Sequence, residues 1–163
     1  MLTLLNEIVR RTRQHHAIEH ATIHLLSSRN KSVRLSGLSD PTGFVIYGGV
    51  EEEEVRQAVG DALLRLQAGE KTLAIHPNCG TNLVTTALLT TFAALLATSG
   101  KRRTVADKFG LALPMMLVAI VVSKPLGLYF QEYTTLADVS DRWVVDVSSQ
   151  KVGRVVATRV TFE

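Results

Sequence analysis

Apolar residues recur at helical spacing from Leu2 to Ser28, with Leu5, Ile8, Val9, Ile23, Leu25 and Leu26 among them and no Gly or Pro in the run. That period predicts one helix, stopped near Asn30. Ser32 to Leu35 and Phe44 to Tyr47 read as strands. Gly37, Asp40-Pro41 and Gly43 lie between them as turn formers, so a β-hairpin is predicted. After the break at Gly48-Gly49, Glu51 to Glu54 open a second helix, where acidic side chains favour the positive end of the helix dipole. Val55, Val59, Leu63 and Leu66 carry its apolar face as far as Gly69, and Thr72 to Ile75 reads as a short strand. Near the end of the chain, Trp143 to Val147 and Val152 to Val160 alternate around Gln150 to Gly153. They predict a second hairpin with Arg142, Lys151, Arg154 and Arg159 on exposed positions, which brings the expected total to about five strands and two helices outside the central apolar region.

The middle of the chain differs in kind. Leu83 to Gly100 holds no charged residue. A span needs about 20 apolar residues at 1.5 Å rise, and extension back over Thr81 and Asn82 makes this run long enough. Its threonines can bond back to their own helix or to a neighbour. Lys101-Arg102-Arg103 ends it, and a second apolar run follows from Phe109 to Ser123. Pro125 to Phe130 extends that run if Lys124 snorkels to the interface, where Tyr129 and Tyr133 fit an aromatic belt. The competing reading is a buried helical hairpin in a soluble protein; two adjacent runs of this length around a basic loop favour insertion. The predicted fold is α+β: a small antiparallel or mixed sheet with two helices, interrupted by a transmembrane helical hairpin. Residues 1–82 and 134–163 would form the soluble domain that carries the functional site, and 83–133 the hairpin.

Composition narrows the function classes. The chain has 163 residues and a formal charge of +3, with no long basic stripe interleaved with aromatics. Nucleic acid is therefore not an expected partner, and the lipid bilayer is. A homo-oligomer is left open. Met1 to Val9 lacks the basic-then-apolar order of a secretory signal, and neither end shows a lipidation motif. Lys101, Arg102, Arg103 and Lys108 would hold the short loop in the cytoplasm and send the soluble segments outside. Arg65, Lys71 and Arg142 weaken that bias. Cys79 is the single cysteine, so no intrachain disulfide forms, and a thiolate ligand suits a reducing compartment. The expected location is the bacterial inner or plasma membrane, multi-pass, with the soluble part in the cytoplasm.

The chemistry centres on His16-Ala17-Ile18-Glu19-His20, an H-x-x-E-H pattern on a predicted helix. Residues at i and i+4 share a face, so His16 and His20 can present two imidazoles to one cation. Glu19 can act as general base on a metal-activated water, or as a partner that orients an imidazole. Chance histidine pairs on helices are common, and a second motif changes the balance: His76-Pro77-Asn78-Cys79-Gly80-Thr81 offers another His and a Cys three positions apart. Zinc accepts nitrogen and sulfur ligands in a tetrahedron, and His16, His20, His76 and Cys79 would complete four. A lone cysteine otherwise reads as a small buried hydrophobe. His24 follows His20 by one helical turn; it either joins that face or simply meets core or solvent. His15 points elsewhere. No nucleophile elbow, P-loop or dinucleotide fingerprint is present.

These segments resemble a family of bacterial membrane proteins of unknown function that are predicted to be metal-dependent enzymes. Members carry a His-x-x-Glu-His-x-Thr-Ile segment and a His-Pro-x-Cys-Gly-Thr segment running into a transmembrane hairpin. The matching stretches here are His16 to Ile23 and His76 to Thr81, and Pro125 to Thr135 is similar to a third family segment. The resemblance implies a metal site at His16, Glu19, His20, His76 and Cys79 and supplies no substrate. The expected function is a membrane-anchored zinc-site protein, with a metal-dependent hydrolase using Glu19 as its catalytic base as the leading form. The alternative is a non-catalytic membrane scaffold or interaction protein whose metal is structural; metal sensing or handling is a third form.

Overall fold

The computed structural model describes residues 2–77, 79–99, 104–153 and 155–163. Elements follow in the order α1 (Leu2–Arg29), β1 (Ser36–Asp40), β2 (Gly43–Tyr47), α2 (Glu52–Gln67), a short 3-10 turn (Lys71–Ala74), α3 (Gly80–Thr98), α4 (Val105–Thr134), β3 (Val144–Val152) and β4 (Val155–Phe162). The fold is α+β, and the chain divides into two compact units: Met1–His76 with Tyr133–Glu163, and Pro77–Glu132.

In the first unit the strands form one antiparallel sheet in the order β1-β2-β4-β3. The last strand therefore lies inside the sheet, with Phe44 opposite Val160 and Ile46 opposite Thr158. Phe44, Ile46, Val147 and Val160 point to the buried face. There they meet Ile18 from α1 and Val55 and Val59 from α2 in a single core. Removing a side chain such as Phe44 from a packed core costs about 3–5 kcal/mol. The first turn of α2 is closed by a capping box between Glu51 and Glu54. Glu52 also accepts the Ser149 N–H at 2.9 Å, so an acidic side chain at this helix start ties the helix to β3.

Several local expectations change. Ser32 to Leu35 is not a strand; β1 begins at Ser36. The register is set by the turn, where Asp40 Oδ1 accepts the Thr42 N–H at 2.7 Å and the Gly43 N–H at 3.1 Å. Gly37 thus sits inside the strand rather than in a turn. Thr72 to Ile75 is not a strand but lies largely in the 3-10 turn, which packs on α1 and α2. The second hairpin turns later than expected, because β3 runs through Gln150 to Val152 and Gly153 takes the left-handed conformation, φ 64°. Arg142 is buried, not exposed: its Nη2 lies 3.0 Å from Asp141, and its carbonyl accepts from Gln67. Among the described residues the sheet has four strands rather than about five. Arg154 and Lys101-Arg102-Arg103, the latter central to the expected topology, lie outside the described residues.

The second unit is a pair of long apolar helices. Both α3 and α4 are long and apolar enough to cross a membrane. The second apolar run and its extension past Lys124 form one helix, which continues through Pro114 and Pro125. Large side chains stand outward, including Phe92, Leu95 and Val121, the last 70% exposed. Such a surface suits lipid rather than water. The threonines are satisfied within the helix: Thr85, Thr86, Thr90 and Thr98 each donate to the carbonyl four residues earlier, at 2.8 Å. Thr86 and Ser123 also bond across the pair at 2.7 Å, and Gln131 donates to Asn82 at 3.1 Å. Gly127 allows this approach, since a Cβ there would collide with Asn82.

Candidate metal centre

In the first unit, α1 brings His16 and His20 together one turn apart, ring centroids 4.3 Å from each other. His20 is buried, and its Nδ1 lies 2.7 Å from the Ala74 carbonyl oxygen. A carbonyl only accepts, so Nδ1 carries the proton and Nε2 is left as a bare lone pair in the neutral ring. His16 Nδ1 faces the Thr134 carbonyl at 3.1 Å and is set in the same tautomer. His20 Nε2 is buried and has no hydrogen-bond partner among the described residues. Burying such a group unsatisfied costs about 1–3 kcal/mol. Backbone carbonyls on Nδ1 with Nε2 exposed to a ligand is the arrangement that metal-binding histidines use. The donor set therefore fits a divalent transition metal.

Glu19 lies on the neighbouring face of α1, turned to the sheet. Ser39 on β1 donates its hydroxyl to Glu19 Oε2. A Cβ on Gly37 would collide with the Glu19 carboxylate, so this strand glycine makes room for the acid. Burial pushes the Glu19 carboxyl above its ordinary value, while the Ser39 bond and the nearby His16 draw it down. His15 is a core residue: it stacks on Phe162 with centroids 5.0 Å apart, and its Nδ1 faces the Asp40 carbonyl at 2.8 Å. Burial lowers its pKa.

His76 is half-buried, with its ring 6.1 Å from His20 and 6.5 Å from the exposed His24. Desolvation lowers the His76 pKa, and the charges of His20 and His24 add to that, so the neutral form is favoured. Cys79 belongs to the other unit, where it is buried and caps α3, its Sγ accepting the Thr81 N–H at 3.3 Å. It follows His76 by three positions, which bounds their Cα atoms to about 11 Å. Beside Cys79 a cleft of about 560 Å³ is lined by Pro77, Leu83, Thr86, Lys124 and Leu128. Sequence reasoning missed Ser39, Gly37 and the Ala74 and Thr134 carbonyls. Gly37 inside an otherwise alternating segment was a usable signal; a backbone carbonyl leaves none.

A family model described as a domain of unknown function (DUF6391) matches residues 11–147. The chain belongs to this family. The DUF6391 match takes in both histidine motifs and both apolar helices. The chain is also 36% identical over 135 residues to an uncharacterized protein of Picosynechococcus sp., covering 77% of this chain and 65% of that relative. It thus spans a little under two thirds of the length of the curated relative it matches. No solved structure matches the chain. The resemblance read from the motifs holds at the level of a family of unknown function; neither description names a metal or a reaction.

Proposed function

We propose that this protein is a membrane-anchored metal centre in which His16 and His20 hold a divalent transition metal, zinc by preference, with Cys79 of the second sequence motif supplying a sulfur ligand. The observation that carries the reading is the tautomer lock on the two helix imidazoles: both Nδ1 atoms face backbone carbonyls, and the buried Nε2 of His20 lacks a partner. Cys79 caps the start of α3, its sulfur accepting the Thr81 N–H. Residues 83–133 serve as the transmembrane hairpin, and 1–82 with 134–163 as the soluble part, on the cytoplasmic side.

Three protein ligands leave a fourth position for water, and a bound divalent metal supplies Lewis acidity there. Glu19 is the group suited to take the proton, because burial raises its pKa toward the working range of a general base. This makes a metal-dependent hydrolase the favoured form. The bond from Ser39 to Glu19 favours a second reading, in which the carboxylate braces α1 against β1 and the metal is structural.

Metal analysis of the full chain purified in detergent tests the centre. About one equivalent of zinc is expected. His16→Ala, His20→Ala and Cys79→Ser should each lose it, and retention in both histidine variants overturns the site. Glu19→Gln separates the two forms. The variant should keep its metal and lose about 10²–10⁴-fold in turnover of an activated ester if Glu19 is the base. Metal retention with no hydrolysis by either protein selects the structural reading.

A further inference from the structure

His20, His76 and His24 form a row of imidazoles of rising exposure: His20 is buried, His76 half-buried and His24 exposed. The ring centroids are 6.1 Å apart for the first step and 6.5 Å for the second. Two imidazoles sharing one metal at Zn–N distances near 2.1 Å keep their centroids roughly 5–6 Å apart. The His24 and His76 rings stand at 6.5 Å, just beyond that range, and nearly perpendicular, at 88°, so a small side-chain rotation of the exposed His24 would bring both onto one ion. Leu25 and Leu26 beside His24 are buried in the core while His24 stands out of it, on the side of His76. A metal ligand as enclosed as His20, 3% exposed, also needs an entry path.

We propose that His24 and His76 form a second, solvent-facing site for a divalent transition metal, from which the ion passes inward to His20. The passage rests on the inner centre proposed above; the outer pair stands on its own geometry. The outer site has two nitrogen ligands and completes its shell with water, so it binds more weakly and exchanges faster than the inner one. The transfer is a ligand exchange with no change of oxidation state. His76 keeps the metal while His20 replaces His24, each imidazole binding through an unprotonated ring nitrogen.

Cobalt(II) titration of the full chain in detergent tests this, since a thiolate ligand gives a sulfur-to-metal absorption band and an all-nitrogen site does not. Two classes of binding are expected: a tight one with the sulfur band and a weaker one without it. His24→Asn, a surface change that leaves the core intact, should abolish the weaker class, keep the full amplitude of the sulfur band and slow its appearance after mixing. Retention of the weaker class in that variant overturns the outer site. Its loss with an unchanged rate of band formation overturns the passage. A wild-type protein without the sulfur band, whose weaker class still disappears in His24→Asn, overturns the inner centre and leaves the outer site standing.

Discussion

At the scale of single residues, the site depends on contacts that fix side chains before any ion arrives. His20 is held by the Ala74 carbonyl and Glu19 by Ser39, and each partner comes from a different element. Gly37 has no tolerance for a side chain, because the Glu19 carboxylate occupies the place of its Cβ. Gly37→Ala should therefore destabilise the fold by about 1–3 kcal/mol, read as a lower urea midpoint at unchanged slope. An unchanged midpoint would mean that Glu19 has another place to go. The imidazole pair was legible from the spacing of His16 and His20, because a helix repeats locally. The pairing of His76 with His24, and the burial of Arg142 against Asp141, were not. Both join residues far apart in the chain or rest on a loop whose path no local pattern dictates.

At the scale of elements, helices were read well and strands less so. A helix makes its own hydrogen bonds, so period and caps suffice to place α1 and α2. A strand takes its register from partners. The start of β1 is set by the Asp40 turn and by pairing with β2, information that the segment Ser32 to Leu35 does not contain. The 3-10 turn was mistaken for a strand because four residues carry too short a pattern to separate the two. In the helical pair, small and polar residues set the approach. Gly127→Val should part α3 from α4 at Asn82, which a disulfide-crosslinking pair across the two helices would report as lost crosslinking. Thr86→Ala, removing the bond to Ser123, should cost only about 0.6–1 kcal/mol, since in lipid the freed hydroxyl of Ser123 finds its own helix carbonyl. A much larger loss would indicate a polar role beyond packing.

At the scale of the whole molecule, a sheet domain encloses buried histidines such as His15 and His20, and a separate unit offers an apolar surface. The two apolar helices should keep the chain in the membrane fraction through an alkaline carbonate wash; release into the supernatant would refute a spanning hairpin. Acid stability follows from Asp40. Its hydrogen bond with Arg159 holds the carboxyl well below the unfolded value of 3.8. The ionised group's contribution is complete above that value and is lost as the pH falls through the lower folded value. Asp40→Asn should flatten the loss of stability below pH 3.8 while lowering stability at neutral pH. An unchanged acid limb would mean that Arg159 finds another partner.

The central claim is that helix imidazoles and a cysteine sulfur share one ion. X-ray absorption at the zinc edge of the detergent-purified protein measures this directly. The account predicts a sulfur scatterer at about 2.3 Å together with imidazole nitrogens at about 2.0–2.1 Å, in one site per chain. A shell of oxygen alone, or a protein that carries no zinc after growth and purification in its presence, would contradict it.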